Sequence, residues 1–519
     1  VQDLKASFDS QRQEAPLVML SRRMMSDQLT PVLAYRRLVL PDERTAPSFL
    51  FESVENGVNV GRYSILAARP ALEVTSRGFT TTIVDHRRHT RRTIESRDPL
   101  AVLRELSLPF RPASAAALAP LRLPAAFTGG FVGFASFDSV RYLEPEKLPF
   151  ESAPRDDRGI PDLHFGHYRD VVVFDHVAKT LHVIVSARLD EFPSHDRAFT
   201  ALVDRLDALE SQLAADGPQL AHGAIDIDLA RRPETPASNV TREEFERMVL
   251  RAKEYITAGD AFQIVLSQRL ERSTNVDPFD LYRALRVVNP SPYQIYLQGE
   301  GAILVASSPE ILCRVHEGVV TNRPLAGTRP RGKSVEEDEA LECELLADAK
   351  ERAEHVMLVD LGRNDIGRVC ETGSIEIERC MEVERYSHVM HISSTVTGRL
   401  RAECDAFDAL RATLPVGTVS GAPKVRAIQV IDELEPTRRG PYSGGIGAIG
   451  FSGNMDIALA LRTMVIPLEA NAHAPWKVHL QAGAGVVLDS DPTAEWQETI
   501  NKASALGRAI DLAESAFLR

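Results

Sequence analysis

Cysteine is scarce in this chain: five in 519 residues, at positions 313, 343, 370, 380 and 404. The number is odd and no two stand at C-x-x-C spacing. That argues against a disulfide framework or a zinc site and points to a reducing cytoplasm. Long apolar runs are missing as well. Runs such as Val171–Phe174 fall far short of the roughly 18 residues a bilayer span needs, so no membrane insertion is expected. The first residues, Val1-Gln-Asp-Leu-Lys-Ala-Ser-Phe-Asp, are polar and lack the apolar region of a signal peptide. A basic excess is missing too. Sixty Lys and Arg stand against 73 Asp and Glu, a net charge of −13, which argues against the basic face that nucleic acid demands. A small anionic substrate stays open, because a local cluster of Arg, Lys or metal reverses the field. The pattern G-x-x-x-x-G-K-[ST] does not occur, so a P-loop nucleotide site is excluded.

What remains is an ordinary globular composition, 44% hydrophobic and 26% charged, long enough for about three or four domain-sized units or fewer large ones. Residues 111–126 are rich in Pro and Ala and read as a linker. Residues 214–240 separate a helix near 195–213 from one that begins at Thr241, where Glu244 three residues on makes a capping box. Residues 468–476 read as a hairpin loop. Val171–Phe174, Leu181–Val185, Ala302–Ala306, Val383–Arg385 and Val478–Gln481 read as strands, and Asp338–Leu361 and Thr493–Phe517 as long helices. No regular βαβ repeat is evident, so the fold class expected is α+β.

Two carboxylate pairs share a helical spacing, Glu351 with Glu354 and Glu495 with Glu498. Residues three apart lie on one helix face, so each pair presents two carboxylates to one point. Facing each other, the pairs make a hard-oxygen site suited to Mg2+. The plainer reading is two solvated faces, with Glu498 and Lys502 as a surface ion pair. Glycine stands at 440, 444, 445, 447, 450 and 453, and Gly483-Ala484-Gly485 follows a strand. Such density marks either backbone that cradles an anion or a tightly packed sheet. Arg462 offers a bidentate partner for a carboxylate. The segment Gly417–Lys424 reads as a turn into a helix, with Ser420 near the N-cap and Pro423 in the first turn. A helix start favours anions, although an ordinary capped helix explains the isolated segment better. His391 reads as a strand residue and Glu310 as a loop carboxylate at a strand end.

Taken in order, GDAFQIVLSQR (259–269), NPSPYQIYL (289–297), SSPEIL (307–312), RPLAGTRPRG (323–332), ERAEHVMLVDLGRND (351–365), YSHVMHISSTVTG (386–398), LPVGTVSGAPKVRAIQVIDELEP (414–436), RRGPYSGGIG (438–447), ALRT (460–463) and the segment 481–503 resemble the chorismate-utilising enzymes, and among them the anthranilate synthase component I family. The resemblance covers most of 240–510, and FLFESVENGVNVGRYS (49–64) resembles the family's regulatory segment. It implies large antiparallel or mixed sheets packed as a sandwich with helices outside. It also implies a tryptophan-binding regulatory region over 1–239 and a chorismate-binding catalytic region over 240–519.

The resemblance further implies roles. Glu354 and Glu498 fall on the likeliest Mg2+ ligands, with Glu351 and Glu495 beside them. Tyr442, Arg462 and the backbone of Gly483, Ala484 and Gly485 match the grip on the enolpyruvyl carboxylate. Gly327, Thr328 and Lys502 match further substrate contacts. Glu310 matches the general acid that protonates the departing C4 hydroxyl, and His391, with Thr418 nearby, the group that completes elimination of pyruvate. Water-adding relatives place a lysine where this chain has Gln263, and the 4-amino-forming aminodeoxychorismate synthase places one at Ala326. Both differences favour amination at C2. Tryptophan feedback is expected through Glu52, Ser53, Pro292, Tyr293 and Gln294, with Phe51 and Gln294 departing from the family's commonest pattern. Nothing here resembles a glutamine amidotransferase, so ammonia is expected from a separate subunit. The rival readings are aminodeoxychorismate synthase component I and an inactive regulatory or scaffold homologue. Against the latter, Glu310, His391 and both carboxylate pairs are retained together.

Overall fold

The computed structural model describes residues 2–518 apart from 41–45, 56–58, 229–232, 234, 387–388 and 469–473. Among the described residues two sheets of twelve strands each dominate, and every pairing between neighbouring strands is antiparallel. Helices lie on the outside, which gives the α+β sandwich expected. The middle of the first sheet runs Ser48–Glu52, Tyr293–Gly299, Ala302–Ser308, Thr463–Pro467, Trp476–Val486 and Gln263–Thr274. The second begins Leu325–Pro330, Val389–Arg399, Val319–Asn322, Ile311–His316 and Met455–Leu459, and ends Leu72–Arg77, Thr80–Asp85 and Thr90–Glu95. Each sheet draws strands from both sides of residue 240.

The two sheets meet over a fully apolar layer. Phe49, Leu297 and Leu304 from the first sheet pack with Val132, Phe134 and Ile446 from the second, all buried. Phe49 stands edge-on to Tyr168 at 4.9 Å. Burying a side chain of this size contributes about 2 kcal/mol, and the layer repeats that gain many times. The outer face of the first sheet is covered by the helices Pro278–Val288 and Pro492–Phe517, among others.

The helix Arg242–Thr257 begins with the expected capping box, Thr241 and Glu244 each bonding the other's backbone N–H. Other expectations are corrected. Residues 338–361 are not one helix but parts of two, Val335–Ala347 and Ala349–Gly367. The break falls at Asp348, whose carboxylate accepts from the N–H groups of Lys350 and Glu351, so a side-chain bond replaces helical continuation without any Gly or Pro to signal it. Pro423 is the N-cap of the helix Lys424–Leu434 rather than part of its first turn. Ser420 closes the preceding turn by donating to the Val416 carbonyl. The strand through Val478–Gln481 runs on to Val486, so Gly483–Gly485 lie inside it. The strand at 383–385 begins at Glu376. Five residues of the expected hairpin loop, 469–473, and two of the expected His391 strand, Ser387 and His388, lie outside the described residues.

Candidate active site

Glu310 sits in the short connection between Ala302–Ser308 and Ile311–His316, where the chain passes from the first sheet to the second. It is 5% exposed. Its carboxyl accepts a hydrogen bond from Thr418 Oγ1 at 3.0 Å, and the Leu325 backbone gives a second. Burial outweighs both bonds and the distant Lys502 charge, and pushes the group up to about 8. Glu310 is therefore a neutral acid at pH 7, as a proton donor must be.

His391 is on the strand Val389–Arg399 and is half-buried. Its Nδ1 lies 2.9 Å from the Gly327 carbonyl and 3.1 Å from Thr328 Oγ1. A carbonyl only accepts, so Nδ1 carries the proton and Nε2 is left as the base. Burial first, and then the Arg462 charge, lower its pKa to about 4, which keeps the ring neutral. Gly327 holds φ at +66°, and a Cβ there would meet Glu351 Oε2 at 3.2 Å. The Arg462 guanidinium has no hydrogen-bond or ion-pair partner among the described residues, although burial disfavours its charge. An unpaired guanidinium beside a neutral imidazole is a place for a carboxylate.

The two helix pairs come within electrostatic reach of each other. Asp348 caps the helix that carries Glu351 and Glu354, and Asp491 caps the one that carries Glu495, Glu498 and Lys502. Both carboxylate pairs thus stand near helix N-termini, where the backbone field favours negative charge. Glu354 Oε1 accepts from Gln263 Nε2 at 2.7 Å. Its pKa is raised, chiefly by burial and further by the charges of Glu351 and Glu498, with the Gln263 bond opposing. That of Glu495 is raised by burial and by Glu498, against a bond from Ser490. Carboxylates from the two helices therefore repel one another. Lys502 bridges, with Nζ 2.6 Å from Glu498 Oε1 and 3.0 Å from the Gly483 carbonyl.

Among the described residues no three His, Cys, Asp or Glu converge as a ready-made metal cage. Mg2+ ordinarily takes one or two carboxylates and leaves the rest of its shell to water and substrate, so Glu354 and Glu498 are a donor set that fits it.

Gly483 turns its carbonyl to Lys502, away from the strand Gln263–Thr274 that pairs with Trp476–Val486 on the other side. In a strand a residue's N–H and C=O point the same way, so Gly483 and Gly485 face an edge with no strand partner beyond Leu480. A Cβ at Gly485 would come within 2.7 Å of Gln263 Nε2, and one at Gly483 within 3.1 Å of the Tyr442 hydroxyl. Ala484 turns to the paired side. Gly447 is different, since a Cβ there would strike the Asp456 carbonyl at 2.1 Å. The glycines differ: Gly483 and Gly485 lie on an open strand edge, whereas Gly447 serves sheet packing. Beneath them the buried Arg439 ties the site together, donating to Glu435 and to the carbonyls of Val419 and Val265.

The tryptophan set is only partly gathered. Gln294 lies directly opposite Glu52 in the sheet. Glu52 already accepts from Tyr282 at 2.7 Å and from Arg286 at 2.8 Å. Tyr293 points to the other face, donating to Asp456 at 2.7 Å and accepting from Arg314 at 2.9 Å. Ser53 gives its carbonyl to Gly61, and Pro292 precedes the strand that carries Tyr293 and Gln294.

Two neighbours of the site escaped the sequence reading. Tyr386 stands edge-on to His391 at 5.7 Å, and Arg329 holds Glu344, Asp348 and Glu351. Arg329 lies in a quoted motif, but its acidic partners are brought to it only by the break at Asp348.

Residues 63–508 match the family model described as chorismate binding enzyme. The chain is 54% identical over 515 residues to the anthranilate synthase alpha subunit 1, chloroplastic, of Oryza sativa subsp. japonica, covering 96% of this chain and 88% of that one. It is 43% identical over 501 residues to the anthranilate synthase component 1 of Acetivibrio thermocellus, covering 95% of each. A crystal structure of anthranilate synthase component I from Streptococcus pneumoniae TIGR4 superposes with a TM-score of 0.73 at 38% identity, over 94% of this chain and 99% of that one. The chain belongs to the chorismate-binding enzyme family, among relatives that are anthranilate synthase alpha and component I chains.

Proposed function

We propose that this chain aminates chorismate at C2 with ammonia and eliminates pyruvate to release anthranilate, the first committed step of tryptophan biosynthesis. The observation that carries the reading is the meeting of opposite protonation demands: Glu310 is kept neutral as an acid, and His391 neutral as a base. Ammonia forms a bond to C2 while the ring double bonds shift and the C4 hydroxyl departs. Glu310 gives that oxygen its proton, so water leaves instead of hydroxide. His391 Nε2 then takes the C2 proton, the electron pair closes the aromatic ring, and the enolpyruvyl group leaves as the enolate, which takes a proton at its methylene carbon to become pyruvate. Arg462 and the open edge at Gly483 and Gly485 hold the enolpyruvyl carboxylate. Glu354 and Glu498, with Glu351 and Glu495 alongside, would hold Mg2+, which when bound supplies positive charge that fixes the ring carboxylate.

The proposal extends to partners and control. Ammonia comes from a separate glutamine amidotransferase subunit, and free ammonium substitutes for it at high concentration and pH. L-Tryptophan inhibits from the region of Glu52 and Gln294, whose Nε2 is buried without a partner. The compartment is the cytoplasm; all five cysteines are unpaired, as a reducing one requires. Cell fractionation checks that point, since the rice relative is named chloroplastic.

The deciding assay follows anthranilate fluorescence from chorismate, Mg2+ and ammonium. Wild type should produce it, and Glu498→Gln should lose at least about tenfold in rate and need more Mg2+. A 4-amino product that retains its enolpyruvyl group, or no loss of chorismate, refutes the reading. A tryptophan titration that leaves the rate unchanged refutes the feedback.

A further inference from the structure

A cavity of about 560 Å3 opens toward the far end of the second sheet from His391. Four strands separate its nearest lining strand, Gly130–Ala135, which carries Phe131, from Val389–Arg399, roughly 25 Å along the sheet at ordinary strand spacing. It shares no lining residue with the active site or with the tryptophan set.

Its walls are basic in an acidic chain. Arg87, Arg88, Arg92, Arg169 and Arg188 line it, against three carboxylates, Asp85, Glu105 and Glu191. Arg87 and Arg169 share Glu191. Arg92 is exposed and has no ion pair among the described residues. The floor is aromatic. The His167 ring packs against Phe110 at 4.3 Å and Phe131 at 4.8 Å, and Arg169 and Arg188 lie over Phe110 at 4.7 and 5.5 Å.

Three buried nitrogens along this wall have no hydrogen-bond partner: His167 Nε2, Arg169 Nε and Arg188 Nε. His167 is 2% exposed. Folded proteins leave few such groups, and three in one cavity call for a missing partner. An oxyanion satisfies guanidinium N–H groups, and a flat ring satisfies an aromatic floor.

We propose that this cavity binds a small ring-bearing oxyanion, an aryl phosphate or an aromatic carboxylate, at a site separate from catalysis. The test is calorimetric titration of the full chain with phenyl phosphate and with inorganic phosphate, with and without saturating chorismate. Phenyl phosphate should bind once per chain, about tenfold tighter than inorganic phosphate, and chorismate should not displace it. Arg92→Glu and Arg188→Ala should each weaken it by about tenfold or more, with wild-type melting temperatures. No saturable binding, displacement by chorismate, or equal affinity in both variants overturns the proposal. None of these readouts depends on whether anthranilate is made.

Discussion

Two buried glutamates of this chain have opposite company. Glu310 meets a hydroxyl and a backbone amide, with no cation in contact, and its carboxyl is pushed up to about 8. Glu52, with its side chain 8% exposed, receives both arms of the Arg286 guanidinium, at 2.8 and 3.2 Å, and the Tyr282 hydroxyl. Both side chains are buried, but only Glu52 has a cation to pair with. Glu310 is left with a proton to give, whereas Glu52 is anchored in an ion pair.

The largest expected effect comes from removing the proton. Glu310→Gln keeps the shape and the Thr418 contact but has no acid, so kcat should fall by about 10^3, within the range for general acid catalysis. In the wild type, kcat/KM reports the free enzyme. Activity should be lost as pH rises through about 8, where Glu310 ionises, and as pH falls through about 4, where His391 takes a proton. A profile without the basic limb would break the contrast, because Glu310 would then be an ordinary carboxylate.

Next in size is the anchored partner. Arg286→Ala leaves Glu52 buried with the Tyr282 phenol and a long bond from Ser64 Oγ at 3.5 Å. Breaking such a pair at a fully buried site costs about 3–5 kcal/mol. Arg286 is 35% exposed, and water entering there should reduce the loss to about 2 kcal/mol, read as a drop in urea midpoint at unchanged slope. If Arg286→Ala is as stable as wild type, the ion pair contributes nothing and the contrast with Glu310 disappears.

The sequence makes the parts of this site legible better than their assembly. Spacing predicts that Glu351 with Glu354, and Glu495 with Glu498, share helix faces, and the charge of Glu498 reaches Glu354 in the fold. The capping box at Thr241 is local and appears as read. The break at Asp348 does not show, because Asp is tolerated within helices and only the Arg329 network and the cap reveal why the chain stops there. The glycines are legible as close approach but not as to what approaches. The open strand edge at Gly483 arises from a pairing about two hundred residues away in the chain, whereas the crowding at Gly447 comes from the neighbouring hairpin strand Met455–Leu459. Single residues such as His391 and Glu310 carry no spacing at all, and their neutral states come from burial that only the folded sandwich supplies.

The finest test of that burial is Thr418→Val, which removes one hydroxyl and nearly nothing else. The Thr418 bond favours the ionised form of Glu310, so its loss should raise the Glu310 pKa above about 8. The basic limb of the rate profile should therefore move to higher pH, while the acid limb, set by His391, stays in place. Below pH 8 the variant keeps its proton donor, and the rate should fall only about tenfold, the loss expected when a donor is less firmly aimed. A merely structural role for Thr418 would lower the rate at every pH and move neither limb. A basic limb displaced downward would mean that the hydroxyl accepts from a neutral carboxyl rather than donating to it, and the environment of Glu310 would then favour the acid by hydrogen bonding as well as by burial.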